Sequence, residues 1–287
     1  MKDERNSFVA TNSSSKSTNK HFVLVHGGCH GAWCWFKLTP LLKSAGHRVT
    51  VLDLAGSGIN SKQVNDLRSF SDYIHPFMEF MEYSVPGGIS VKPEEKVILV
   101  GHSLGGLVIS KAMEMFPEKI SVAVFVTALM PNMSEEINIS DVGKEVLTII
   151  VHRLEQLSFM VPQHIYRRVK DIPTASICGP NYLSSTLYNL SPPEDIALAI
   201  MLMRPVRMYS MKDMLKEIAM TKQKYGSVKR VYIISEQDKA ISKDFQRSII
   251  EKDPTDEVKE ITGSDHMVMI SQPQQLFVCL QEIAEKA

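Results

Sequence analysis

The stretch Val97–Phe116, VILVGHSLGGLVISKAMEMF, decides the fold. Val97-Ile98-Leu99-Val100 reads as a buried strand, whereas Leu104, Leu107, Val108, Met113 and Met115 are spread over a helix. Ser103 stands between them, flanked by Gly101 and Gly105 in a G-x-S-x-G pattern. Glycine and serine are common, so the pattern alone carries little weight; the strand before it and the helix after it supply the context it requires. Without side chains at Gly101 and Gly105 the chain can turn sharply through Ser103. The serine is then held in a strained conformation with Oγ raised at the carboxyl edge of a sheet. The plainer alternative is a small residue where a strand becomes a helix.

Working outward, the first half alternates apolar β-branched runs with helical patterns. His21–Gly27 and the run RVTVLDLAG read as strands, and Trp33–Gly46 as a helix. Ser69–Tyr83 reads as a second helix, kinked at Pro76, and Ile120–Pro131 as a further strand. Near-continuous apolar strands separated by helices predict a parallel sheet covered on both faces. From Asn132 to Tyr225 the β-branched runs stop, prolines recur and methionine-rich helical patches appear. The strand–helix rhythm then returns with VKRVYIIS, a helix over Lys243–Glu251, DEVKEITG and a closing helix over Gln274–Glu285. The expected organisation is a tail over residues 1–20, an α/β core from 21–131 and 226–287, and a mainly helical cap over 132–225. The cap is expected after about six strands.

The 287 residues are 44% hydrophobic, enough for a substantial core. Lys+Arg and Asp+Glu balance at 32 each, so nothing argues for nucleic acid or an anionic membrane surface as a partner. No apolar stretch approaches the roughly 18 residues of a membrane span. The N-terminal stretch is polar, with Asp3 and Glu4, and has neither the apolar middle of a secretion signal nor the acid-poor, Arg-rich character of a transit peptide. A disordered tail and a cytoplasmic location are expected. Cys29, Cys34, Cys178 and Cys279 show no metal-site spacing and are expected to be reduced and mostly buried.

A serine hydroxyl needs a base, and the base needs an orienting acid. In this architecture the partners follow in the order Ser, Asp/Glu, His. Only His152, His164 and His266 follow Ser103, and the first two fall in the expected cap. His266, in GSDHMVMI, comes after a strand and before the last helix, on a loop at the edge where Ser103 sits. Asp238, directly after the strand Val231–Ile234, is the candidate acid. Glu236 is its competitor, and Asp265 is too close in the chain to orient His266 easily. The oxyanion donors expected are the N–H groups of Leu104, at a helix N-terminus, and of Gly28, in the loop VHGGCHGAW. That loop lacks the fingerprints of a phosphate cradle. Structural readings are favoured for His102, expected to point away from the site, for His26 and His30 as loop hydrogen-bonders, for Asp53, for Trp33 and Trp35, and for the basic HIYRRVKD.

With those residues placed, the chain resembles the plant methylesterase family of the α/β-hydrolase superfamily, which includes salicylate and jasmonate methyl esterases, polyneuridine aldehyde esterase and the hydroxynitrile lyases. The resemblance runs from about His21 to the C-terminus and is carried by HFVLVHGGCHGAWCW, KVILVGHSLGG, PEKISVAVFVTALMP, LSPPEDIALA, YGSVKRVYII and DHMVMISQP. It implies a Ser103–His266–Asp238 triad with no metal or cofactor, acting on methyl esters of small hormones or alkaloids with water as co-substrate. An acid with a β-carbonyl would lose carbon dioxide afterwards. The lyases carry threonine and lysine where this chain has Gly27 and Met267, which disfavours cyanohydrin cleavage and assigns Met267 to an apolar pocket wall. Phe159, Met160, Tyr182, Leu183, Tyr188, Met201, Met203, Met208, Met211 and Met214 are expected to give the cap a deformable lining. A hormone receptor on the same fold is the alternative. Monomer and homodimer both stay open.

Overall fold

Apolar and β-branched residues make up nearly the whole of four strands, as burial on both faces requires. The computed structural model describes residues 19–82, 94–132, 168–169, 172–173, 175–209, 214 and 216–287. Six strands, β1 (His21–Val25), β2 (Arg48–Leu52), β3 (Val97–His102), β4 (Ile120–Val126), β5 (Arg230–Ser235) and β6 (Glu257–Ile261), form one sheet in the order β6-β5-β4-β3-β1-β2. Every pairing in it is parallel. The register sets Val25 against Gly101, His102 against Val126, and Val126 against Ile233. The carboxyl ends of β1, β3, β4 and β5 therefore come out side by side, and their loops share one edge. The edge strand β6 blunts its free side with Glu257, Lys259 and Glu260.

Helices cover both faces. On one side α2 (Phe70–Glu82), α3 (Gly105–Met115) and α5 (Lys243–Lys252) contribute Phe70, Phe77, Ile109, Met113 and Ile249 to one apolar cluster. On the other, α1 (Leu38–Ser44) and α6 (Pro273–Glu285) contribute Leu38, Leu42, Leu276 and Leu280 to a second. The chain between β4 and β5 joins this second cluster through Leu183, Leu187, Tyr188 and, from α4 (Pro193–Leu202), Ala199.

Three expectations need correction. The insertion follows the fourth strand of the sheet, not the sixth. The helix expected over Trp33–Gly46 is two pieces, a 3₁₀ turn at Ala32–Trp35 and α1 from Leu38. Pro40 explains the break: its ring would meet the carbonyl four residues back in a continuous helix, so it sits in the first turn of α1 instead. The end of the expected tail is placed too late at Lys20, whose N donates to His47 Nδ1 (3.3 Å) and whose O accepts from Arg48 N (2.9 Å). Residues 1–18 lie outside the described residues, as do His152, Phe159, Met160, His164 and Met211. Among the described residues no helix is long and apolar enough to cross a membrane.

Candidate active site

Ser103 has φ +52°, the left-handed region that a side chain enters only under constraint. The constraint is visible: its carbonyl accepts from Gly106 N (3.1 Å) and Leu129 N (3.0 Å), and its own N–H donates to Val126 O (3.4 Å). α3 starts two residues later, and it packs so closely on β1 that a Cβ at Gly105 would stand 2.7 Å from Val25 O. The turn expected from the sequence is thus present, with Ser103 only partly buried at the sheet edge.

Asp238 and His266 meet across 28 residues: His266 Nδ1 donates to Asp238 Oδ2 at 2.7 Å. The carboxylate accepts three further hydrogen bonds, from Thr127 Oγ1 (2.5 Å) to Oδ2 and from the backbone N–H groups of Ala240 (2.6 Å) and Ile241 (2.9 Å) to Oδ1. Its acceptor positions are filled and its orientation is fixed. Glu236, the competing acid, faces elsewhere, accepting from Gly263 N (3.1 Å) and pairing with Lys243 (3.8 Å). His102 does not point away from the site as expected. Its Nε2–H donates to the carbonyl of His266 (2.8 Å), with the two rings 4.7 Å apart. Burial, reinforced by His266 and His30, drives its pKa well below the ordinary histidine value, so it is a neutral strut behind the histidine loop.

The loop after β1 closes over Ser103. A Cβ at Gly27 would lie 2.9 Å from Ser103 Cβ and 3.0 Å from His102 Nδ1, and one at Gly28 would lie 3.7 Å from Leu104 Cδ2. Both expected oxyanion donors, Gly28 and Leu104, therefore belong to adjoining segments beside Ser103. His26 Nδ1 donates to Gly27 O (2.8 Å) while its Nε2 accepts from Leu54 N (3.1 Å). His30 Nδ1 donates to Gly28 O (2.9 Å). Burial lowers the pKa of both, His30 to about 3. Asp53 ties the neighbouring loops together through Ala32 N (2.7 Å) and Ile59 N (3.0 Å), the structural part expected of it.

Met267 is fully buried in the second apolar cluster with Leu183, Leu187 and Tyr188. Of the expected cap lining, Leu183, Tyr188, Met203 and Met214 are buried, whereas Met201 is 72% exposed and faces solvent. The four cysteines are free thiols, Cys29 and Cys34 buried and the other two half-buried. No group of three or more His, Cys, Asp or Glu among the described residues is placed to hold a metal ion.

Two site residues escape a reading of the sequence. Thr127, at φ +37°, directly follows β4 and anchors Asp238; its only signal is a hydroxyl just after an apolar strand in FVTALMP. Asp265 binds the inserted segment, accepting from Leu190 N (3.0 Å) and Ser191 Oγ (2.8 Å), and Met267 N (2.9 Å) on its other oxygen.

A model of the alpha/beta hydrolase family matches residues 22–278. Over 93% of its length the chain is 50% identical to methyl jasmonate esterase 1 of Vitis vinifera, of which the match covers 97%. It is 44% identical to salicylic acid-binding protein 2 of Nicotiana tabacum, over 93% of this chain and 98% of that one. Among solved structures, tomato methylketone synthase I complexed with 2-tridecanone is similar with a TM-score of 0.80 and 49% identity, covering 93% of this chain and 98% of the other.

Proposed function

The chain belongs to the alpha/beta hydrolase family, and from that premise we propose that it cleaves the methyl ester of a small plant hormone or alkaloid through an acyl-enzyme on Ser103. The observation that carries this reading is the 2.7 Å hydrogen bond from His266 to a fully engaged Asp238, at the sheet edge where Ser103 is held at φ +52°. In the proposed reaction His266 takes the Ser103 proton as the oxygen attacks the ester carbonyl. The N–H groups of Gly28 and Leu104 stabilise the oxyanion, and His266 returns the proton to departing methanol. Water then attacks the acyl-enzyme with His266 again as base, and the acid is released. Asp238 keeps the Nδ1–H tautomer and stabilises the imidazolium. Met267 supplies an apolar wall for the acid half of the ester. The division of labour follows the expected organisation: residues 21–131 and 226–287 as the hydrolase core, 132–225 as the cap, in a cytoplasmic enzyme.

The substrate class is supported by similarity to an enzyme named for methyl jasmonate hydrolysis. The test is a panel of methyl esters of jasmonate, salicylate, indole-acetate and alkaloid acids, followed by mass spectrometry on the wild type and Ser103→Ala. Ester cleavage that falls by about 10⁴-fold in the variant is expected; undiminished turnover would sink the mechanism. Similarity to a ketone-bound methylketone synthase supports a second reading for esters with a β-carbonyl. There the product would lack the whole methoxycarbonyl group, not the methyl alone. A single burst of acid without further turnover would instead favour the receptor reading.

A further inference from the structure

The N–H of Gly28 can serve an oxyanion only if the peptide between Gly27 and Gly28 is held at one angle. In a trans peptide the C=O and N–H point in opposite directions, so whatever grips the Gly27 carbonyl aims the Gly28 N–H the other way. His26 grips that carbonyl, which also accepts from His30 N (3.4 Å), and the His30 side chain grips the next one, at Gly28, fixing the peptide that follows. His26 is secured at its far nitrogen by the backbone of Leu54. His30 is secured by the inserted segment: its Nε2 accepts from the hydroxyl of Tyr188 at 2.8 Å, and the two rings stack 5.9 Å apart.

The polarity of this chain is settled by its ends. The Gly28 carbonyl can only accept, so His30 Nδ1 carries the hydrogen; burial keeps the ring neutral, so Nε2 accepts and Tyr188 donates. Tyr188 itself is 1% exposed and is delivered by a π-helical turn, Leu183–Leu187, whose closing bond runs from Tyr188 N to Leu183 O (2.8 Å). Two and three residues on, Leu190 N and Ser191 Oγ dock on Asp265, next to His266. The stretch Tyr188–Ser191 is therefore clamped between the loop after β1 and the histidine loop, and among the described residues its tyrosine hydroxyl bonds to His30.

We infer that Tyr188 is a positioning residue for the ester cleavage, acting through His30 to hold the peptides on both sides of Gly28 and so to keep the Gly28 N–H at the oxyanion. The inference rests on the ester-hydrolase reading above. It makes the oxyanion donor depend on correct seating of the inserted segment.

Tyr188→Phe removes the hydroxyl and keeps the ring. With 4-nitrophenyl acetate as substrate, kcat should fall about tenfold with KM within about twofold, a fraction of the 10²–10³ that loss of a whole oxyanion donor costs. Affinity for an alkyl trifluoromethyl ketone, whose hemiketal oxygen needs the same donors, should fall by the same factor as kcat/KM. Inhibition by toluene, a neutral ligand that presents no oxygen to the donors, should be unchanged. If kcat and ketone affinity match the wild type, or if KM and toluene affinity worsen while kcat holds, the inference is overturned. Should Tyr188→Phe fold poorly, His30→Asn retains a donor toward Gly28 O; it should retain more kcat than His30→Ala, and equal losses in the two would overturn the inference. Ser103→Ala, run alongside, separates the cases: surviving turnover there sinks the hydrolase reading, whereas a silent Tyr188→Phe beside a dead Ser103→Ala sinks this inference alone.

Discussion

Asp238 is the most heavily engaged carboxylate of the site, with one hydrogen bond to the proposed base and three to its own support. Replacing it by Asn exchanges an acceptor for a donor opposite His266 Nδ1 and favours the wrong tautomer. Asp238→Asn should lower kcat by about 10⁴ while leaving the fold intact. Thr127→Val removes only the hydroxyl that braces Oδ2, and kcat should drop by about one order of magnitude. Steady-state kinetics with circular dichroism on both variants checks the ranking; Thr127→Val as damaging as Asp238→Asn would mean that Thr127 does more than brace. Both side chains lie at strand ends, and only Asp238 could be picked from the sequence. An acid after a strand, ahead of a histidine, fits a known order along the chain. The Thr127 bond, 111 residues from its partner, leaves no trace in local pattern.

At the scale of elements, the returning chain is locked to the sheet by a buried ion pair. Arg230, the first residue of β5, pairs with Asp253 at the end of α5 (2.5 Å), and its guanidinium lies 5.1 Å from the Tyr225 ring centroid. Both charged side chains are under a tenth exposed. Asp253→Ala leaves the guanidinium with Tyr225 and the Pro254 carbonyl as its remaining partners, and should cost about 3–5 kcal/mol of stability. Urea unfolding followed by fluorescence measures it; a loss below about 1 kcal/mol would show the pair to be dispensable. The elements themselves were largely legible. Strand periodicity found all six sheet strands, and the change of texture after Pro131 marked the insertion. The break at Phe36–Lys37 depended on one proline inside an otherwise helical pattern, a competition between periodicity and sterics that periodicity lost.

At the scale of the whole molecule, burial of neutral histidines links stability to pH. Desolvation lowers His21 to about 4 and His30 to about 3, and lowers His26 and His102, each from an ordinary value of 6.5. The unfolded chain therefore takes up these protons first. Stability is fully present above pH 6.5 and is lost as pH falls from 6.5 toward the folded-state values, by up to about 1.4 kcal/mol per pH unit for each histidine. A melting temperature that falls steeply between pH 6.5 and 4.5 is expected; a flat profile over that range would contradict the assignment of these rings as buried and neutral. The same burial places His26 and His30, and with them the loop proposed to carry an oxyanion donor, in the core.

By itself the sequence determined what local pattern can carry: a parallel sheet, a serine on a tight turn between strand and helix, and an acid and a histidine after later strands in a fixed order. These features are short-range, because strand period, glycine spacing and chain order are all written within a few residues of the group concerned. The tertiary structure alone decided which polar atoms meet. His30 and Tyr188 are separated by 158 residues, Asp265 and Ser191 by 74, and such pairings follow from the packing of loops at one sheet edge. Burial then fixes their protonation, since a polar group removed from water keeps only the partners that the fold brings to it.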